Sequence, residues 1–158
     1  MEYIQATKEH AEKTYRLVQK TITTVYPKYY PQEVVDFFCQ LHSKGNILND
    51  ISNGYVGILQ HDGQLVGTGS RQDNHITRVY VDPMLQKQGY GSYIMQTLED
   101  EIALHYDTAY LDASLPASHM YETRGYVTVA HKQWTVENGV VLVYEVMQKR
   151  LGTASENL

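Results

Sequence analysis

Cysteine is almost absent from this chain: Cys39 stands alone. An internal disulfide and a four-cysteine zinc site are therefore excluded. The redox reading is a reducing compartment, the cytoplasm. Long apolar runs are missing too. No stretch approaches the ~18 uninterrupted apolar residues of a membrane-spanning helix, and the opening MEYIQATKEH lacks the basic-then-apolar order of a secretory signal. Basic charge is in short supply, with 13 Lys+Arg against 18 Asp+Glu and a formal charge of −5. That speaks against nucleic acid, whose binders carry a basic stripe, and mildly favours cationic small molecules. Seven histidines are present, but no two share the His-x-x-x-His spacing, so no metal site is expected. There is no repeat and no Pro/Gly/Ser linker. The expectation is one domain over residues 1–151 with a polar tail at 152–158.

What is present is tyrosine, 14 of them against two phenylalanines and one tryptophan. An apolar body with a polar tip suits half-buried clefts. The hydrophobic period switches along the chain. Glu2–Ala6 reads as a strand, with Thr7 as N-cap of a helix on which Ala11, Tyr15, Leu17, Val18 and Ile22 recur. Tyr26-Pro27 ends it. Pro31 opens a second helix striped by Val34, Val35, Phe38 and Leu41, with Gly45 as its stop. Tyr55–Leu59, Leu65–Gly69 and His75–Val81 are strands joined by Asp62-Gly63 and Asp73-Asn74, an antiparallel meander. A helix from about Gly89 to Leu104, a strand at Ala109–Asp112 and a short helix around Pro116–Thr123 follow. Two last strands flank Asn138-Gly139, a type I′ hairpin dipeptide. The nearly continuous hydrophobic Val140–Met147 reads as an inner strand buried on both faces, with a homodimer contact left open. The order β-α-α-β-β-β-α-β-α-β-β describes a mixed α/β fold, with a mostly antiparallel sheet and helices on both faces.

The most informative segment is VDPMLQKQGYGSYI, Val81 to Ile94. A strand stops at proline, and a glycine-bearing turn enters an amphipathic helix. Amides at a helix start lack intrahelical partners and carry partial positive charge. Glycine at 89 and 91 lets an anion approach the backbone, and phosphate is the expected ligand. The dinucleotide and P-loop patterns both fail, because no third glycine and no Gly-Lys-Ser/Thr follow.

The pattern Gln86-x-x-Gly89-x-Gly91 after Val81-x-Pro83 resembles the acyl-coenzyme A signature of the GCN5-related N-acetyltransferase (GNAT) superfamily. A second segment, Tyr121-Glu122-x-x-Gly125-Tyr126 after the strand ending Leu111-Asp112, resembles that family's later motif. The resemblance implies that main-chain amides of Gln86, Lys87, Gln88, Gly89, Tyr90, Gly91 and Ser92 hold the pyrophosphate of acetyl-CoA. It implies that the strand before them splays from its neighbour, so that Val79, Tyr80 and Val81 meet the pantetheine arm and the oxyanion. It implies that Tyr121 lies near the coenzyme sulfur and protonates the departing thiolate. The acceptor would be a small-molecule or peptide amine, attacked directly in a ternary complex.

An alkyl ammonium of pKa ~10.4 must lose a proton before it attacks. The family's glutamate on this strand is missing: the run His75-Ile76-Thr77-Arg78-Val79-Tyr80-Val81 holds no carboxylate. His75, with Asp73 close by in sequence, or Tyr80 relaying through water, are the candidate bases. A non-catalytic acyl-CoA sensor stays open as the alternative, and behind it an unrelated phosphate-binding domain. The linker Tyr26-Pro27-Lys28-Tyr29-Tyr30-Pro31 could line the acceptor cleft or serve as a packed connector. Cys39 reads as a small core residue.

Overall fold

The computed structural model describes residues 1–152; residues 153–158 of the expected tail lie outside them. Strand β1 (Glu2–Gln5) leads into helices α1 (Ala11–Val25), α2 (Gln32–Leu41) and α3 (Lys44–Ser52). Strands β2 (Val56–His61), β3 (Gln64–Gln72) and β4 (His75–Val81) follow, then α4 (Tyr90–Ala103), β5 (Thr108–Ala113), α5 (Ser118–Thr123), β6 (Val127–Thr135) and β7 (Val141–Arg150). The seven strands form one sheet in the order β1-β2-β3-β4-β5-β7-β6. Every neighbouring pair is antiparallel except β4 and β5.

The turns obey local chemistry. Asp62 and Gly63 take φ of 52° and 76°, and Asn138 and Gly139 take 58° and 72°. Two successive positive φ values are what a type I′ dipeptide needs. Two cores form, one on each face. Val18, Ile22, Val34, Val35 and Ile47 of the first three helices pack on Val56, Ile58 and Tyr80. Ile94, Met95, Leu98 and Ile102 of α4 pack on Leu59, Val66, Ile76 and Leu111 from the other side. Helix α4 lies very close to β3: a Cβ on Gly69 would stand 2.6 Å from Ile94 Cγ2, and one on Gly67 2.8 Å from Ile94 Cδ1. Glycine at both positions permits that approach.

Two expectations need correction. Gly45 does not end the second helix. Helix α2 stops at Leu41, and Gly45 sits in the first turn of α3, a helix the pattern did not announce. The Ser43 side chain accepts the Asn46 N–H at 3.1 Å and caps it. A helical glycine costs about 1 kcal/mol relative to alanine. Burying Ile47 and Ile51 returns roughly 1.5–3 kcal/mol each, so α3 forms. Strand β7 is an inner strand, but it is not buried on both faces: Val141 and Val143 are about half exposed.

Candidate active site

The parallel ladder between β4 and β5 contains only His75 opposite Tyr110 and Ile76 opposite Leu111. Beyond Ile76, β4 stays with β3 as far as Val81, while β5 stays with β7 as far as Ala113. The two strands therefore part, and a cleft of about 430 Å³ opens there. An antiparallel ladder turns main-chain groups alternately toward and away from a neighbour. The Asp82 N–H donates to the Val66 carbonyl of β3 at 2.9 Å. Two-residue alternation then directs the main chain of Val79 and Val81 away from β3, into the opening. The Val81 carbonyl already accepts from Gln86 Nε2 and Thr21 Oγ1, each at 3.3 Å.

At one end of the opening the chain curls. Lys87 and Gly89 take φ of 64° and 87° on either side of Gln88, and Gly89 caps α4. The first intrahelical bond runs from the Tyr93 N–H to the Gly89 carbonyl at 3.0 Å. The amides of Tyr90, Gly91 and Ser92 are thus left without helix partners. Gln86, Lys87, Gln88, Gly89 and Ser92 are exposed. A Cβ on Gly89 would meet nothing within 4 Å, so the concavity is open. Amides converging at the positive end of a 14-residue helix form a site for a phosphate group.

Tyrosines line the middle. Tyr26 Oη donates within 3.2 Å of Tyr80 Oη or 3.4 Å of Ser114 Oγ. Tyr121, buried on α5, lines the same cleft. Burial pushes the phenols of Tyr26, Tyr80 and Tyr121 up, so each stays protonated at neutral pH. Helix α5 is fastened from behind. Buried Glu99 accepts from Arg124 at 2.8 Å, Tyr126 Oη at 2.9 Å and Lys149 at 3.2 Å, and the Tyr126 ring meets Tyr121 edge-on at 5.8 Å. Arg124 is held by Glu99, away from the phosphate cradle.

The far wall comes from α2, α3 and the start of β4. Buried Arg78 donates to His42 Nδ1 at 3.1 Å, Ser70 Oγ at 2.9 Å and Asp50 Oδ2 at 2.9 Å. Burial, then the neighbouring guanidinium, lowers the His42 pKa to about 3. His42 is thus a neutral ring with its proton on Nε2, unsuited to act as a base. His75 stacks on Tyr110 with centroids 4.3 Å apart, and its Nε2 lies 3.4 Å from Asp112. Its carboxylate neighbour is Asp112, whereas Asp73 occupies the β3–β4 turn.

The structure thus gathers Val79, Tyr80, Tyr121 and His75 around one cleft, with the Gln86–Ser92 curl at its end. His75 and Tyr80 stand at opposite ends of β4, about 17 Å apart along the strand at ~3.3 Å per residue. Sequence reasoning missed Asp112, Asp50 and His42. The one local signal was Ser43-x-x-Asn46, which marks the start of α3. Cys39 is half-buried against the core, and burial raises its thiol pKa, consistent with a packing role.

A sheet opened between its two parallel strands, with an anion cradle at one end and a buried phenol alongside, is the arrangement of an acetyltransferase. The family model described as Acetyltransferase (GNAT) domain matches residues 25–151, and the chain belongs to that family. The fold is similar to that of a GCN5-related N-acetyltransferase from Rhodopseudomonas palustris, at 23% identity and TM-score 0.87, covering 95% of each chain. It is similar to PaiA N-acetyltransferase from Thermoplasma acidophilum, solved with coenzyme A, at 18% identity and TM-score 0.71, covering 94% of this chain and 98% of that one. It is also similar to the ribosomal-protein-S18-alanine N-acetyltransferase of Escherichia coli, at 18% identity and TM-score 0.70, covering 99% and 97%. No curated protein matches the sequence.

Proposed function

We propose that this protein transfers an acetyl group from acetyl-CoA directly to an amine in a ternary complex, as one domain working in the cytoplasm. The observation that carries this reading is the parting of β4 from β5, which leaves the main chain of Val79 and Val81 without a strand partner on that side, between the cradle and Tyr121. The amides of Gln86–Ser92 suit a diphosphate. The Val79 and Val81 main chain suits an amide-bearing arm and, at the reacting end, a developing oxyanion.

A water relay that begins at the Tyr80 hydroxyl takes the ammonium proton. His75, about 17 Å away along β4 and held by Asp112, is the terminal acceptor of that relay and does not touch the amine. Tyr121, kept protonated by burial, gives its proton to the departing thiolate. Tyr80, bonded to Tyr26, stands on the Tyr121 side of the cleft. No activated nucleophile lines the cleft among the described residues, which favours direct transfer over an acyl-enzyme.

Thiol release from acetyl-CoA over a panel of amines, run beside calorimetry with CoA alone, tests the reading. Turnover with at least one amine is the expected result. CoA binding without any turnover favours a sensor. Absence of heat at millimolar CoA removes the coenzyme site altogether.

A further inference from the structure

Strand β7 runs past the end of its neighbour. Its last partner on β5 is Ala113, opposite Glu145, whereas β6 accompanies it back to Val141. Two bonds fix the direction of its main-chain groups. The Val136 N–H donates to the Val140 carbonyl at 2.8 Å, so even-numbered positions at this end of β7 face β6. The Leu151 N–H donates to the Asp107 carbonyl at 2.7 Å, so odd-numbered positions face β5. Both assignments turn the N–H and C=O of Val141 and Val143 toward the line that β5 has vacated. No described residue fills it. Val141 and Val143 are 47% and 54% exposed, and a groove of about 320 Å³ lies there, walled by Tyr29, Tyr30, Pro31 and Leu115. The Leu115 N–H donates to Tyr30 Oη at 2.7 Å, which fixes that wall. Ser114 borders both this groove and the cleft that holds Tyr121.

Resting on the acyl-transfer reading above, we infer that the acceptor is an extended peptide with a free amino terminus, held as an added strand against Val141 and Val143. Main-chain groups spaced two residues apart along an accessible strand edge are complementary to another extended backbone. The polarity follows from the geometry. The amine must lie at the Ser114 end to enter the cleft, so the peptide runs opposite to β7 and continues the direction of β5. A compact amine without a peptide backbone would leave these four groups unused.

The test uses the full chain and an unblocked hexapeptide, Ala-Arg-Val-Arg-Val-Arg, with a set of variants each N-methylated at one peptide bond. Amide exchange by NMR should slow at least tenfold at Val141 and Val143 when the peptide is saturating, and spermidine should leave both unchanged. N-methylation should weaken binding at least tenfold at alternate bonds only, because every second N–H faces β7. Unaltered exchange at both amides, or a flat N-methyl scan, overturns the inference. Acetylation of spermidine but not of the peptide overturns it too, while leaving the acyl-transfer reading in place. Protection by the peptide with no thiol release upholds the strand site and removes the acyl-transfer reading instead.

Discussion

Arg78 carries its positive charge into the cleft wall, where it is buried, and satisfies it with three partners, His42, Ser70 and Asp50. His42 must fold neutral, which makes it a titrating element of stability. Its pKa falls from the ordinary 6.5 to about 3, so between those values the unfolded chain binds the extra proton. The contribution is fully present above about pH 6.5 and is lost as pH falls toward 3, at ~1.4 kcal/mol per pH unit. His42→Asn keeps an acceptor for Arg78 and removes the titration. Urea unfolding at pH 6 and pH 4 should show the wild type losing roughly 2–3 kcal/mol more than the variant over that interval; equal losses would show that His42 is protonated in the native state. Tyr121 is tested differently. Tyr121→Phe keeps the edge-on ring contact with Tyr126 and deletes only the acid. The expected loss is about 10²–10⁴ in kcat, with the KM for acetyl-CoA nearly unchanged. Tyr121 was legible because the Tyr-Glu-x-x-Gly-Tyr run names it. His42, Asp50 and Asp112 were not, since each reaches the cleft through long-range pairing: Arg78 sits 28 positions from Asp50 and 36 from His42.

At the scale of elements, helix boundaries decide which polar groups reach the cleft. Gly45 looked like a stop because glycine favours the residue after a helix, yet two buried isoleucines one turn apart outweigh its cost. The pattern of a nine-residue helix is too short to stand out beside α2, and only its cap betrays it. Removing that cap by Ser43→Ala should cost about 1 kcal/mol in urea unfolding. Because α3 carries Asn46, Asn49 and Asp50 to the cleft wall, the same variant should raise the acceptor KM while leaving that of acetyl-CoA unaltered. The meander was easier to read, since Asp62-Gly63 fixes its own hairpin by local conformation. Close packing of α4 on β3 had no such signature. Gly69→Ala places a methyl 2.6 Å from Ile94, and the overpacking should cost about 1–3 kcal/mol, read as a lower urea midpoint at unchanged slope.

For the molecule as a whole, two cores on opposite faces hold a sheet that is continuous except where β4 leaves β5. Apart from α3, the order of elements and the alternation of strands were visible in the hydrophobic period. The parting of the strands was not, because a paired and an unpaired buried strand share one side-chain pattern; only the family resemblance carried by Gln86-x-x-Gly89-x-Gly91 implied it. An opening of this kind leaves main-chain groups unsatisfied in the free protein, so a ligand that pairs with them should act on global stability. A ligand bound only to the folded state at a hundred times its Kd adds about 2.7 kcal/mol. For a chain of this length each kcal/mol moves Tm by roughly 2–4 °C, so saturating CoA should raise Tm by about 5–11 °C. Gly89→Ala is the matched control: its φ of 87° suits glycine, and the added methyl meets no other atom. Any loss therefore arises from strain in the cradle or from a methyl standing where the phosphate belongs. The variant should melt within a few degrees of the wild type without ligand and lose most of the CoA-dependent shift. A full shift in Gly89→Ala would move the coenzyme's phosphate away from the start of α4.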